Sequence, residues 1–150
     1  LGKQSEEISY PFFKTIFGDD LIHDDEQFAH FDFFNDICMV ELKTRDDIKV
    51  IDGVFHYTTR AGKKMVLESL YFDSPKMQFA YKYNKYNKDQ RKFFMVWKCS
   101  GEYYYWILNW DKIEYFVEEQ DNNWGQGRQQ RNVINVKTEF IKKLKINPSL

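Results

Sequence analysis

Three side chains in the first third of the chain have the types and spacing for phosphodiester chemistry. Asp32 stands upstream of Glu41 and Lys43, which are separated by a single residue. Hydrolysing a phosphodiester requires a water placed opposite the leaving oxygen and positive charge against the phosphate. Asp32 and Glu41 offer the hard oxygen ligands that Mg²⁺ takes, and that ion keeps waters for its substrate side. Bound Mg²⁺ or Mn²⁺ acidifies a coordinated water and polarises the phosphoryl oxygen. The Leu42 carbonyl is a natural further ligand, and Lys43 can orient the water and stabilise developing negative charge.

The elements that must position these groups are two strands. Residues 30–34 and 37–43 are rich in strand formers and flank Asn35-Asp36, a turn pair. A two-residue hairpin would pair Phe34 with Ile37, Phe33 with Cys38 and Asp32 with Met39. Alternation then sets Asp32, Met39, Glu41 and Lys43 on one face, with Phe31, Phe33, Cys38, Val40 and Leu42 on the other. Glu41 falls diagonally across from Asp32, about 7–8 Å between backbones, so both carboxylates can reach one cation. The competing reading is an ordinary solvent face with a cross-strand ion pair.

In His30-Phe31-Asp32-Phe33 and Val40-Glu41-Leu42-Lys43-Thr44-Arg45 the chain resembles the PD-(D/E)XK nuclease superfamily, most of all its small members from large DNA viruses and phages. The usual proline before the first acid is replaced by Phe31. The resemblance implies an α/β, restriction-endonuclease-like core: a central mixed sheet flanked by helices, in the order helix–strand–strand–strand–helix–strand. A C-terminal strand and helix would extend it, within one nuclease-like domain over residues 1–150. It further implies Asp32, Glu41 and the Leu42 carbonyl as metal ligands, Lys43 as the catalytic lysine and Glu6 as a first-helix acid. Lys76 or Gln78 would reach the site from a later helix. The implied cofactor is Mg²⁺ or Mn²⁺, and the implied activity is that of an endonuclease on nucleic acid, DNA in the first instance. Arg45, Arg128 and Arg131 suit phosphate contacts through their guanidinium forks. A homodimer and an intracellular setting also follow by analogy; for a viral protein that means host cytoplasm, nucleus or virion. The alternative class is a nuclease-fold protein without turnover, acting as a nucleic-acid-binding, viral assembly or host-interaction module.

The rest of the chain supplies the frame. A helix is expected from Ser5, with Ile8, Phe12, Phe13 and Ile16 on its apolar face, Pro11 bending it or delaying its start, and Gly18 ending it. An acidic loop covers residues 18–26. Residues 44–64 exceed what a nuclease core needs and read as an extra hairpin, whose Asp46-Asp47 pair invites confusion with a metal site. Residues 65–72 read as one strand, and Ser74-Pro75 opens a helix over 75–86. Residues 93–99 and 103–108 form strands joined across Ser100-Gly101. Residues 111–119 suit helix or strand, and 122–131 a loop with Gly125 and Gly127. A strand over 133–136 and a basic helix over 139–144 complete the reading.

Composition bounds the alternatives. The 150 residues are 43% apolar and 30% charged, enough for one domain with a real core. No run approaches the roughly 18 apolar residues of a membrane-spanning helix. The chain opens at Leu1 without a charged-then-apolar leader, which reads as a trimmed start. Cys38 and Cys99 suit reduced, buried thiols. No Ser-His-Asp set, Gly-rich phosphate loop or dinucleotide fingerprint is present. Residues 1–60 carry 6 Lys and Arg against 13 Asp and Glu, whereas 61–150 carry 16 against 10. That polarity fits a cation-binding region beside a surface that meets an anion, or two solvated faces. The 14 Phe, 10 Tyr and 4 Trp could supply core or interface.

Overall fold

A computed structural model describes residues 2–24, 31–73, 91–108, 114–122 and 127–145. It is a mixed α/β structure: one helix and a central mixed sheet, with no closed barrel, among the described residues. The helix, α1, spans Gly2–Phe17. Strands β1 (Ile22–His23), β2 (Phe33–Phe34) and β3 (Cys38–Arg45) follow. Then come β4 (Ile48–Ile51), β5 (Val54–Thr58), β6 (Lys64–Leu67) and β7 (Ser69–Asp73). The second half holds β8 (Lys92–Cys99), β9 (Glu102–Ile107), β10 (Glu114–Asn122), β11 (Gly127–Lys137) and β12 (Lys142–Lys143). The central sheet runs β1-β2-β3-β8-β9-β12, and two three-stranded sheets run β10-β11-β7 and β4-β5-β6. Among the described residues, only β3 and β8 pair in parallel in the central sheet, over eight residues from Cys38↔Lys92 to Arg45↔Cys99.

Alternation along β3 divides the core in two. Cys38 and Val40 point into a layer with Phe33, Val96, Leu144 and, from α1, Phe13 and Phe17. Met39 points into a layer where Phe93, Met95, Trp97 and Trp106 meet Leu70, Phe72, Ile134 and Val136 of the β7–β11 sheet and Ile48 and Phe55 of the β4–β5 sheet. The helix differs from expectation in its buried stripe, which is Ser5, Ser9, Phe13 and Phe17, while Ile8 is 61% exposed. The serines succeed because their hydroxyls are paired, Ser5 Oγ with Thr44 Oγ1 at 2.6 Å and Ser9 Oγ with Tyr103 Oη at 2.7 Å. Their small size also brings the helix close to the sheet. Ser5 is therefore no N-cap, and Pro11 sits mid-helix on the exposed side, where water can serve the carbonyl it leaves unpaired. Gly18 ends the helix with a φ of 125°, its N–H donating to the Lys14 carbonyl at 3.1 Å.

The expected turn at Ser100-Gly101 exists, and the extra hairpin expected in 44–64 turns at Asp52-Gly53, a pair that sequence reasoning missed; each has positive φ at both central positions, as a type I′ turn requires. Other elements are corrected. Residues 65–72 are two strands in different sheets, β6 and β7, broken at Glu68. The loop at 122–131 is largely strand, so Arg128 and Arg131 lie in β11, Arg128 opposite Asp121 and Arg131 opposite Glu118. Pairing with β10 and β7 overrides the loop-like composition. Residues 139–144 form no helix: a 3-10 turn at Thr138–Phe140 leads into β12, which closes the sheet against Tyr104 and Tyr105. The expected helix over 75–86, with Lys76 and Gln78, lies outside the described residues.

Phe13 is fully buried where helix and sheet meet, edge-on to Phe33 with ring centroids 5.0 Å apart. Phe13→Ala should therefore cost about 3–5 kcal/mol in a urea unfolding curve, as expected for loss of a buried aromatic.

Candidate metal and phosphate site

The hairpin that sets the site has a different register from the expected one. Phe33 pairs with Val40 and Phe34 with Met39, so the loop is Asn35 to Cys38 and the register shifts by two. Asn35 is the cause. Its Oδ1 accepts from the N–H groups of Ile37 and Cys38 at 2.9 Å each, making an Asx turn. Its Nδ2 donates to the Phe17 carbonyl at 3.1 Å and to Asp20 at 3.2 Å, fastening the loop to the end of α1. A shift of two keeps every side chain on its face. Continued one step past Phe33, the register would place Asp32 opposite Glu41 rather than diagonal to it.

The chain bends at Asp32, and β2 ends there. Phe31 consequently crosses to the other layer and packs edge-on against Phe93, 5.4 Å between centroids, instead of following Phe33. Asp32 then does what the missing strand would have done: its Oδ2 accepts the Leu42 N–H at 2.7 Å. In a strand, the N–H and C=O of one residue point to the same side. The Leu42 carbonyl therefore faces the edge that Asp32 occupies. Glu41 is half-buried on the Met39 face, with its Oε2 shielded from solvent. Lys43 follows on that face, its Nζ 5.5 Å from the centre of the Tyr71 ring.

Arg45 is next along the row. It donates to both carboxylate oxygens of Asp47, at 3.0 and 3.2 Å, and lies 6.0 Å from the Tyr57 ring centre. Burial works against its charge, but the bond to Asp47 and the attraction of that carboxylate, with Tyr71 and Cys99 adding, together outweigh burial and raise its pKa. The Asp47 carboxyl is held below its ordinary value of 3.8, first by the Arg45 bond, with partial burial opposing and Lys43 adding to the depression. Asp47 is thus the anchor of an arginine, and Arg45 meets a phosphate only from within that fork.

The structure brings Asp32, Glu41, Leu42 and Lys43 to one strand and its edge. Glu6 is placed elsewhere: α1 packs on the Thr44 side, and Glu6 meets His23 Nε2 at 3.3 Å. No group of three His, Cys, Asp or Glu side chains able to hold a metal exists among the described residues. The donor set still fits a hard divalent ion, since Mg²⁺ is commonly held by one or two carboxylates and completes its shell with water and phosphate. Residues that sequence reasoning missed are Asn35, Tyr57, Tyr71 and the Ser5–Thr44 pair. The last was legible, because serines at positions 5 and 9 continue the four-residue spacing of Phe13 and Phe17. Cys38 and Cys99 are buried free thiols with pKa values pushed up to about 12, chiefly by burial, so neither is a nucleophile at neutral pH.

Asp32→Asn keeps an oxygen for the Leu42 N–H and should cost about 1 kcal/mol or less in chemical denaturation, whereas Asp32→Ala should cost about 1–3 kcal/mol. The Arg45–Asp47 fork makes a second prediction. A depressed carboxyl contributes stability that is complete above its unfolded value and is lost as pH falls through the lower folded one. Asp47→Asn should therefore flatten the dependence of melting temperature on pH below the ordinary value of 3.8.

Compared with known proteins, the chain matches no protein-family model, no curated protein and no solved structure.

Proposed function

We propose that the chain is a divalent-metal-dependent nuclease, acting on DNA phosphodiesters from a restriction-endonuclease-like core of α1, β2, β3 and β8. The observation that supports this reading is the seating of Asp32 on the main chain of the strand that carries Glu41 and Lys43. Asp32, Glu41 and the Leu42 carbonyl would hold the ion, which supplies an acidified water and screens the phosphate charge. Lys43 is one pleat beyond Glu41 on the same face, so its ammonium can donate to the attacking water or to a non-bridging phosphoryl oxygen. Its fixed charge meets the negative charge that grows as the water oxygen bonds to phosphorus and the bridging oxygen leaves. The hydrophobic layer beneath Met39 and Met95 keeps the strand rigid, which holds the donors in place as charge develops.

Metal-dependent cleavage of a DNA substrate, assayed on gels in Mg²⁺ and Mn²⁺, tests this directly. Lys43→Ala should slow cleavage by about 10²–10³, the usual effect of removing one transition-state donor. Glu41→Ala or EDTA should remove it. Cleavage that survives both substitutions in a folded protein refutes the assignment.

One observation favours the second reading, a nucleic-acid-binding module without turnover: the described residues gather two acids at the edge of β3 and no third. Calorimetry separates the two readings. A nuclease takes up Mn²⁺ with a heat that Asp32→Ala abolishes, whereas the silent module shows no such heat.

A further inference from the structure

The β4–β6 sheet departs from the charge of the region around it. Residues 48–67 contain Lys49, Arg60, Lys63 and Lys64 against Asp52 alone, whereas residues 1–47 carry 4 Lys and Arg against 12 Asp and Glu. All four cations are exposed. Arg45 is paired with Asp47 and Lys143 with Glu102 at 3.2 Å, whereas the cations of the β5–β6 loop are clustered and, among the described residues, unpaired. No described acid pairs with Arg60, Lys63 or Lys64. Three unneutralised cations within five residues make an anion site of the kind a polyanion engages.

Their geometry is that of an arm. β4 pairs with β5 no further than Ile48↔Tyr57, while β5 and β6 continue to Thr58↔Lys64. Beyond that point one further strand pair leads into a tight loop over residues 59–63, which Thr59 organises. The Thr59 N–H donates to the Lys63 carbonyl at 2.8 Å, the Lys63 N–H to Thr59 Oγ1 at 3.0 Å and the Gly62 N–H to the Thr59 carbonyl at 2.9 Å. Gly62 has a φ of 83°, which favours glycine there. A loop ordered in advance loses little freedom on binding.

The arm is also joined to the site. The Thr58 N–H donates to the Asp47 carbonyl at 3.0 Å, and Tyr57 lies under Arg45, at the end of the strand that carries Glu41 and Lys43. We propose that the β5–β6 loop docks on the backbone of duplex DNA, with Arg60, Lys63 and Lys64 against its phosphates, and so sets which phosphate meets the edge of β3. The choice of duplex DNA rests on the nuclease reading; the binding surface rests on the charge and geometry of the arm.

Fluorescence anisotropy with a labelled duplex of about 20 base pairs in EDTA, where metal-dependent turnover is absent, tests the arm by itself. The triple substitution Arg60→Ala, Lys63→Ala, Lys64→Ala should weaken binding about tenfold or more at about 0.1 M salt and make the log–log salt slope shallower by about 2–3. A control triple at exposed lysines on α1, β8 and β12 (Lys3→Ala, Lys92→Ala, Lys142→Ala) removes the same charge and should change affinity less than about threefold. Equal losses in both triples, undiminished binding by the arm triple, or a wild type that ignores the duplex overturns the proposal. A deficit seen only with the single strand overturns it too. Circular dichroism of the arm triple confirms the fold. Arm-dependent binding without any metal-dependent cleavage refutes the nuclease and leaves the arm standing; Lys43-dependent cleavage with arm-independent binding does the reverse.

Discussion

The site depends on a strand that stops early. β2 gives β3 two rungs and ends at Asp32, which would leave the main-chain groups of β3 bare along an edge. A carboxylate fills the next rung, accepting the Leu42 N–H at 2.7 Å. This contact terminates a ladder with a side chain, and among the described residues no strand pairs with that edge of β3 beyond it. It also brings a second acid beside Glu41. Val or Thr would have been better strand formers at these positions, and the divalent cation proposed above would be the group that makes two carboxylates useful there.

The two faces of β3 have different work. On the helix side Cys38, Val40 and Thr44 are fixed by α1, with the Ser5 hydroxyl reaching Thr44 at 2.6 Å and the Ser9 hydroxyl reaching Tyr103 at 2.7 Å. A helix that docks through serines sits closer than one docking through leucines, and its direction is set by paired hydroxyls as well as by shape. The opposite side carries Met39, Glu41, Lys43 and Arg45, beginning in core and ending in charge. One strand thus has a rigid back and a chemically loaded front.

How much of this was legible follows from periodicity. Face assignment along β3 survived a register error of two residues because side chains alternate with period 2. The hairpin turn at Ser100-Gly101 was legible because it needs positive φ, which few residue pairs accept. What failed required information from outside the local sequence. Asn35 reads as a turn residue, but its reach to the Phe17 carbonyl, which lengthens the loop, exists only after α1 has docked. Residues 65–72 are continuous in strand propensity, and only the fold splits them at Glu68, whose carbonyl is taken by the Thr138 N–H at 2.9 Å. Glu6 appears available on a helical wheel, yet packing gives it to His23.

The order of the two cations on the loaded face carries a last consequence. Arginine binds phosphate well when it is free, but Arg45 is held at two points by Asp47. Leaving that fork would strand a carboxylate, so Arg45 contributes charge and shape from a fixed position. Lys43 is half-buried, with its Nζ 5.5 Å from the centre of the Tyr71 ring. The ammonium is compact and its stem flexible, so it can follow charge as it moves from water to phosphoryl oxygen. Under the proposed nuclease reading the lysine would be the group that acts, while the arginine beyond it holds the strand end against the β4–β5 sheet through Asp47 and Tyr57.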